Sequence, residues 1–188
     1  MHRTARPFLT LALFLALPLA AYAQHGEHHP DQDSKIENAL SAAPAGLAEH
    51  AAVMDWDQSV LKEGTNGYTC LPTPPDLPGN APMCLDAQWM KWAEAWMNRT
   101  EPEFTAVGIA YMLRGDAGAS NTDPYATDRA GVADWIEAGP HLMVVVPDPA
   151  MLDNLPTDYE SGTPWVMWQG TPYVHIMIPL GHGQTREH

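Results

Sequence analysis

Gly139-Pro140-His141-Leu142-Met143-Val144-Val145-Val146-Pro147 and Tyr173-Val174-His175-Ile176-Met177-Ile178-Pro179 are the stretches that decide how this chain folds. Both are apolar and rich in β-branched residues, and Pro and Gly bound them, so both read as buried strands. Each carries the same triplet, His-apolar-Met. Residues two apart in a strand share a face, so His141 stands beside Met143 and His175 beside Met177. If the two strands are neighbours and these faces coincide, two imidazoles and two thioethers converge. Such a soft N/S donor set suits copper, Cu(I) above all. If the faces are reversed, one His-Met pair turns to water and the set disappears.

Working outward, the clearest helix runs from Asp86 to Arg99. Asp86 caps it, and Leu85, Trp89, Met90, Trp92, Ala93, Trp96 and Met97 make an apolar stripe at helical spacing. Such a stripe is the face that packs on a sheet; a stacking platform for a ring-shaped ligand is the competing reading. Phe104 to Leu113 alternates as a central strand. Ala106, Gly108, Ala110 and Met112 lie on one face, small enough to let the Trp helix approach closely. Pro164 to Trp168 and Tyr173 to Ile178 form a hairpin about Gln169-Gly170-Thr171-Pro172. A second hairpin is read over 53–71, turning at Asn66-Gly67, where both residues tolerate positive φ. Lys35 to Leu40 reads as a short helix capped by Ser34 with Glu37 three residues on, and 47–54 as a second helix or the lead into a strand. Between Arg114 and Gly139 lies a long irregular segment, and a loop of that length is usually functional or mobile. Its oxygen-rich start misses the alternating pattern of a calcium loop. Strands mostly follow one another without intervening helices. The expected fold is α+β, a single domain over 35–180 with a mostly antiparallel sheet and the Trp-rich helix on one face.

The ends read differently. Arg3 and Arg6, the apolar run Phe8 to Ala20 and the small-x-small Ala21-Tyr22-Ala23 make residues 1–23 a secretory signal peptide. The apolar run is too short for a spanning helix. Residues 24–34 form a polar linker with His25, His28 and His29 beside Glu27, Asp31 and Asp33. The linker has nothing to bury and is expected to be disordered, and its histidines are a secondary candidate for metal. Residues 181–188 are a polar, flexible tail. The expected location is the periplasm or the extracellular space of a bacterium, with no membrane attachment once the signal is cleaved. The formal charge is −14, which argues against nucleic acid or anionic lipid as partners and allows a metal cation or a small ligand. Cys70 and Cys84, an even count in an exported chain, suggest a disulfide. It would close a Pro-rich loop and contribute on the order of 3 kcal/mol. The competing reading gives Cys84 and Met83 to a metal.

The His-x-Met element resembles the ligand motif of periplasmic copper chaperones through His141, Met143, His175 and Met177. The remaining pattern of those cupredoxin-like proteins is missing. The segments 64–72, 140–148 and 164–179 resemble stretches of an exported bacterial protein family with no assigned activity, a likeness that implies export and carries over no catalytic residue. Three functions therefore stand side by side. The first is copper binding through the paired strands. The second is a non-metal binding or structural domain with an aromatic pocket. The third is an exported enzyme using His141 or His175 as general base, oriented by Asp123 or Asp134. No nucleophile is evident, since Gly-x-Ser-x-Gly is absent.

Overall fold

The computed structural model of the chain describes residues 30–77 and 79–181. Two helices come first, α1 (Pro30–Leu40) and α2 (Ala45–Ala48). Four short strands follow: β1 (Ala52–Met54), β2 (Val60–Lys62), β3 (Thr69–Leu71) and β4 (Met83–Leu85). Then come the long helix α3 (Ala87–Asn98) and β5 (Gly108–Met112). The small pair β6 (Ala119–Ser120) and β7 (Trp135–Ile136) precedes β8 (His141–Val145), β9 (Trp165–Met167) and β10 (His175–Pro179). Eight of these strands build one sheet in the order β2-β1-β3-β4-β5-β8-β10-β9, and β6 and β7 form a separate two-stranded sheet. Every pairing in the large sheet is antiparallel except β1 with β3. The fold is thus α+β with a mostly antiparallel sheet, as the strand order in the sequence predicts.

The two faces of the sheet carry different helices. On one face, α3 lays Trp89 and Trp92 against Leu85, Ala110, Val145 and Met177. Close approach needs small residues on β5. A Cβ at Gly108 would meet Gln88 Cβ and Val145 Cγ2 at 2.8 Å and the Asp86 carboxylate at 3.0 Å. Asp86 joins helix to sheet. Its Oδ1 accepts from the backbone N–H groups of Gln88 and Trp89, and its Oδ2 from that of Ile109 on β5 at 2.6 Å. On the opposite face, α1 and the turn after it bring Ile36, Ala39, Leu40 and Ala42 onto Val53, Cys70 and Cys84. The disulfide Cys70–Cys84 joins directly opposed residues of β3 and β4 beneath that helix.

Three expectations are corrected. The first helix begins at Pro30 rather than Lys35, so Ser34 is not its cap. Proline suits a first helical position, Asp31 and Asp33 favour the positive end of the helix dipole, and Gln32 ties this turn to the Leu61 carbonyl. The first hairpin is β1–β2, turning over Asp55–Ser59 with Gln58 at φ 70°, and β3 joins the far side of β1 in parallel. The segment between docks on the α2–β1 link. The N–H groups of Thr65 and Asn66 donate to the His50 carbonyl and Asn66 Nδ2 donates to Leu47 O. At Gly64 a Cβ would collide with the backbone of Ala51 and Ala52. Asn66-Gly67 therefore turns a crossing connection, not a hairpin. Finally, Met83-Cys84-Leu85 is a strand, where the sequence reading stopped at a Pro-rich loop.

Candidate functional site

The two His-x-Met strands are neighbours. β10 runs antiparallel to β8 with Met177 opposite Met143 and Pro179 opposite His141. Opposed residues of an antiparallel pair share a face, so His141, Met143, His175 and Met177 all point to the side covered by α3. Their order along the ladder is one imidazole, a pair of opposed thioethers, then the other imidazole. Four residues separate His175 from the partner of His141, about 13 Å along the strands. His141, His175 and Met177 are buried and Met143 is half-buried.

The flanking strands add two methionines that local spacing in the sequence does not reveal. Met112 of β5 lies opposite His141, and Met167 of β9 lies opposite His175. Both are buried. Each histidine thus has one thioether across the ladder and another two residues along its own strand. Only strand register makes these neighbours, and register is not written in either segment alone.

Both imidazoles are oriented in the same way. Nδ1 of His141 bonds the carbonyl of Gly139 at 2.7 Å, and Nδ1 of His175 bonds that of Tyr173 at 2.9 Å. A carbonyl only accepts, so Nδ1 carries the proton in each ring and Nε2 keeps its lone pair. A backbone carbonyl on the distal nitrogen is a common way to orient a metal-ligating imidazole. Nε2 of His141 is buried and has no hydrogen-bond partner. An unsatisfied buried acceptor costs about 1–3 kcal/mol.

His175 sits among indoles. Its ring meets Trp89, Trp92 and Trp168 edge-on, with centroids 5.4, 5.6 and 5.1 Å away. Burial drives its pKa down to about 4, although the Tyr173 carbonyl favours the charged form; proximity to His141 lowers it further. The ring is therefore neutral at physiological pH and able to donate its lone pair. Trp168 holds a left-handed φ of 56°, unusual for a bulky residue. Its backbone N–H donates to Asn121 O at 2.8 Å and its indole N–H to Ser120 O at 2.7 Å, which offset the strain. The 114–139 segment thus fixes one wall of the site.

One carboxylate that period-two spacing does not point to, Asp116, is affected by His141. Burial raises its pKa, while His141 and the N–H groups of Ala138 and Gly118 pull the other way. The two carboxylates expected to orient a catalytic histidine are engaged elsewhere. Asp134 accepts from the hydroxyls of Ser120 and Thr122. Burial pushes its pKa up, but these hydroxyls outweigh that and hold it below the usual carboxylate range. Asp123 caps a turn at the Tyr125 N–H.

Among the described residues, no three His, Cys, Asp or Glu side chains gather into a metal-sized group. A metal held here would need thioether sulfur. Cys70 and Cys84 are joined to each other, which removes the reading of Cys84 as a ligand. His25, His28 and His29, and residues 1–23 with the expected signal, lie outside the described residues. No helix among the described residues is long and apolar enough to cross a membrane. Trp89, Trp92, Trp165, Trp168 and Tyr173 are buried in the main core, and Trp96 and Tyr125 pack against it half-buried. Two surface depressions, about 370 Å³ beside Lys91, Glu94 and Glu101 and about 260 Å³ beside Leu152, Val166 and Val174, are lined by neither His141 nor His175. No protein-family model, no curated protein and no solved structure matches this chain.

Proposed function

We propose that this chain is an exported copper-binding protein that takes up Cu(I) along the strip of His141, Met143, His175 and Met177. One observation carries the reading. The antiparallel register of β8 and β10 puts all four on one face, with both imidazoles turned by backbone carbonyls so that Nε2 is the free nitrogen. Neutral imidazole and thioether are soft-to-borderline donors, and the scarcity of carboxylate in the strip disfavours hard cations. The disulfide fits an oxidising compartment, and the basic, apolar and small-residue blocks of residues 1–23 supply the export signal. Burial would keep the ion away from water and from exchange with weak ligands. Half-buried Met143 is the most open of the four.

The test is an anaerobic titration with Cu(I) against a chromophoric Cu(I) chelator. The full chain should carry His25→Ala, His28→Ala and His29→Ala, so that the tail contributes nothing. Tight binding is expected, and His141→Ala/His175→Ala in that background should abolish it. Binding that survives the double substitution, or that disappears with the tail histidines alone, would refute the assignment.

A further inference from the structure

We infer that the strip is two Cu(I) sites rather than one, each made of one imidazole and two thioethers. This rests on the copper reading above and refines it. The first site is His141 with Met112 and Met143. The second is His175 with Met167 and Met177.

The register supplies the argument. Met112 is directly opposite His141 across β5 and β8, and Met167 is directly opposite His175 across β9 and β10. Opposed residues have Cβ atoms about 4.5–5.5 Å apart, and residues two along a strand are only one step further. Each histidine thus has two sulfur-bearing neighbours on its own face. A shared ion is harder to arrange. The two histidines are four residues out of register, about 13 Å along the strands. Both rings would have to lie down along the sheet to meet above Met143 and Met177.

The arrangement also repeats itself. β8 and β10 are antiparallel, so a half-turn about the axis through the Met143–Met177 pair exchanges the strands and carries one His-x-Met toward the other. The outer strands follow, β5 beside β8 and β9 beside β10, each delivering a methionine to the histidine next to it. Five of the six side chains are buried: Met112 at 5 %, His141 at 1 %, Met167 at 4 %, His175 at 2 % and Met177 at 2 % exposure. The orphaned Nε2 of His141 is a lone pair that this site would use. Methionine is the most adaptable of the apolar side chains, so thioethers can close on an ion without moving the strands. The two sites are not equivalent in surroundings. Indoles enclose His175 on three sides.

The experiment uses the full chain with the three tail histidines replaced by alanine, titrated with Cu(I) against a chromophoric chelator. Copper K-edge absorption is recorded on the loaded protein. The expected results are two equivalents bound per chain and an average of one nitrogen and two sulfurs per copper. Met112→Leu and Met167→Leu conserve volume, and each should remove one equivalent while leaving the other. A single equivalent, or binding that neither substitution changes, overturns the two-site inference and leaves the proposed copper function standing. No Cu(I) binding by the parent chain overturns both. The stoichiometry and the sulfur count need no variant, so a poorly folded leucine variant would not spare the inference.

Discussion

His175 is a neutral base enclosed by aromatic rings, and that has a measurable cost. An unfolded chain protonates this imidazole near pH 6.5, whereas the folded one resists until about pH 4 because burial penalises the charge. Between those values the unfolded chain binds more protons, so stability falls as the pH is lowered through that window. The loss is on the order of 3 kcal/mol. Urea denaturation of the metal-free protein at pH 7, 5.5 and 4.5 should show the decline. His175→Gln should be less stable at pH 7 but lose much less between pH 6.5 and 4. Equal slopes for the two proteins would mean that another group carries the acid sensitivity. Bound Cu(I) should oppose the decline, since a ligand that binds only the folded chain stabilises it. The histidine and its Met two residues on were visible in the sequence because period-two spacing is local. Met112, Met167 and Asp116 were not, because they become neighbours only through strand pairing and through the path of the 114–139 segment.

At the scale of elements, α3 is anchored at its first turn by a single carboxylate. Asp86 accepts two N–H groups of the helix and one of β5. Asp86→Ala removes the cap and strands the Ile109 N–H, at a cost of about 2–3 kcal/mol. Asp86→Asn retains the cap but turns an amide toward that same N–H or loses the link, and should fall between the two. Thermal unfolding of the three proteins gives the order directly. A cap and a stripe of Trp at helical spacing are strong local signals, which is why α3 was legible almost to the residue. The alternating faces of β5 were legible for the same reason. The parallel pairing of β1 with β3 was not. It depends on Gly64 lying against the Ala51–Ala52 backbone and on Asn66 reaching Leu47. Asn66-Gly67 looks identical in a hairpin and in a crossing turn. β4 was masked by its neighbours, because the prolines that precede it mark a loop and give no sign of where the loop ends.

For the molecule as a whole, the disulfide sits in the middle of the order, tying β3 to β4 between the α1-covered half of the sheet and the strands of the site. Both cysteines are fully buried. A thiol reductant should therefore leave the native protein oxidised and act only in denaturant, as mass shift after alkylation would show. Cys70→Ala/Cys84→Ala should cost on the order of 3 kcal/mol in a denaturation titration. The aromatic core has a different consequence. Trp92, Trp96 and Trp168 lie within 7° of parallel, with centroids 5.6–6.5 Å apart, and Tyr125 continues the stack under the Arg99 guanidinium. Two of these indoles belong to α3 and the third to the turn between β9 and β10. At such spacing their transition dipoles couple, and the excited states are shared between chromophores that are distant in sequence. The protein thus carries its own optical gauge: the part of its near-ultraviolet dichroism that comes from this stack should be lost when helix and hairpin separate, with His175 edge-on against two of its rings.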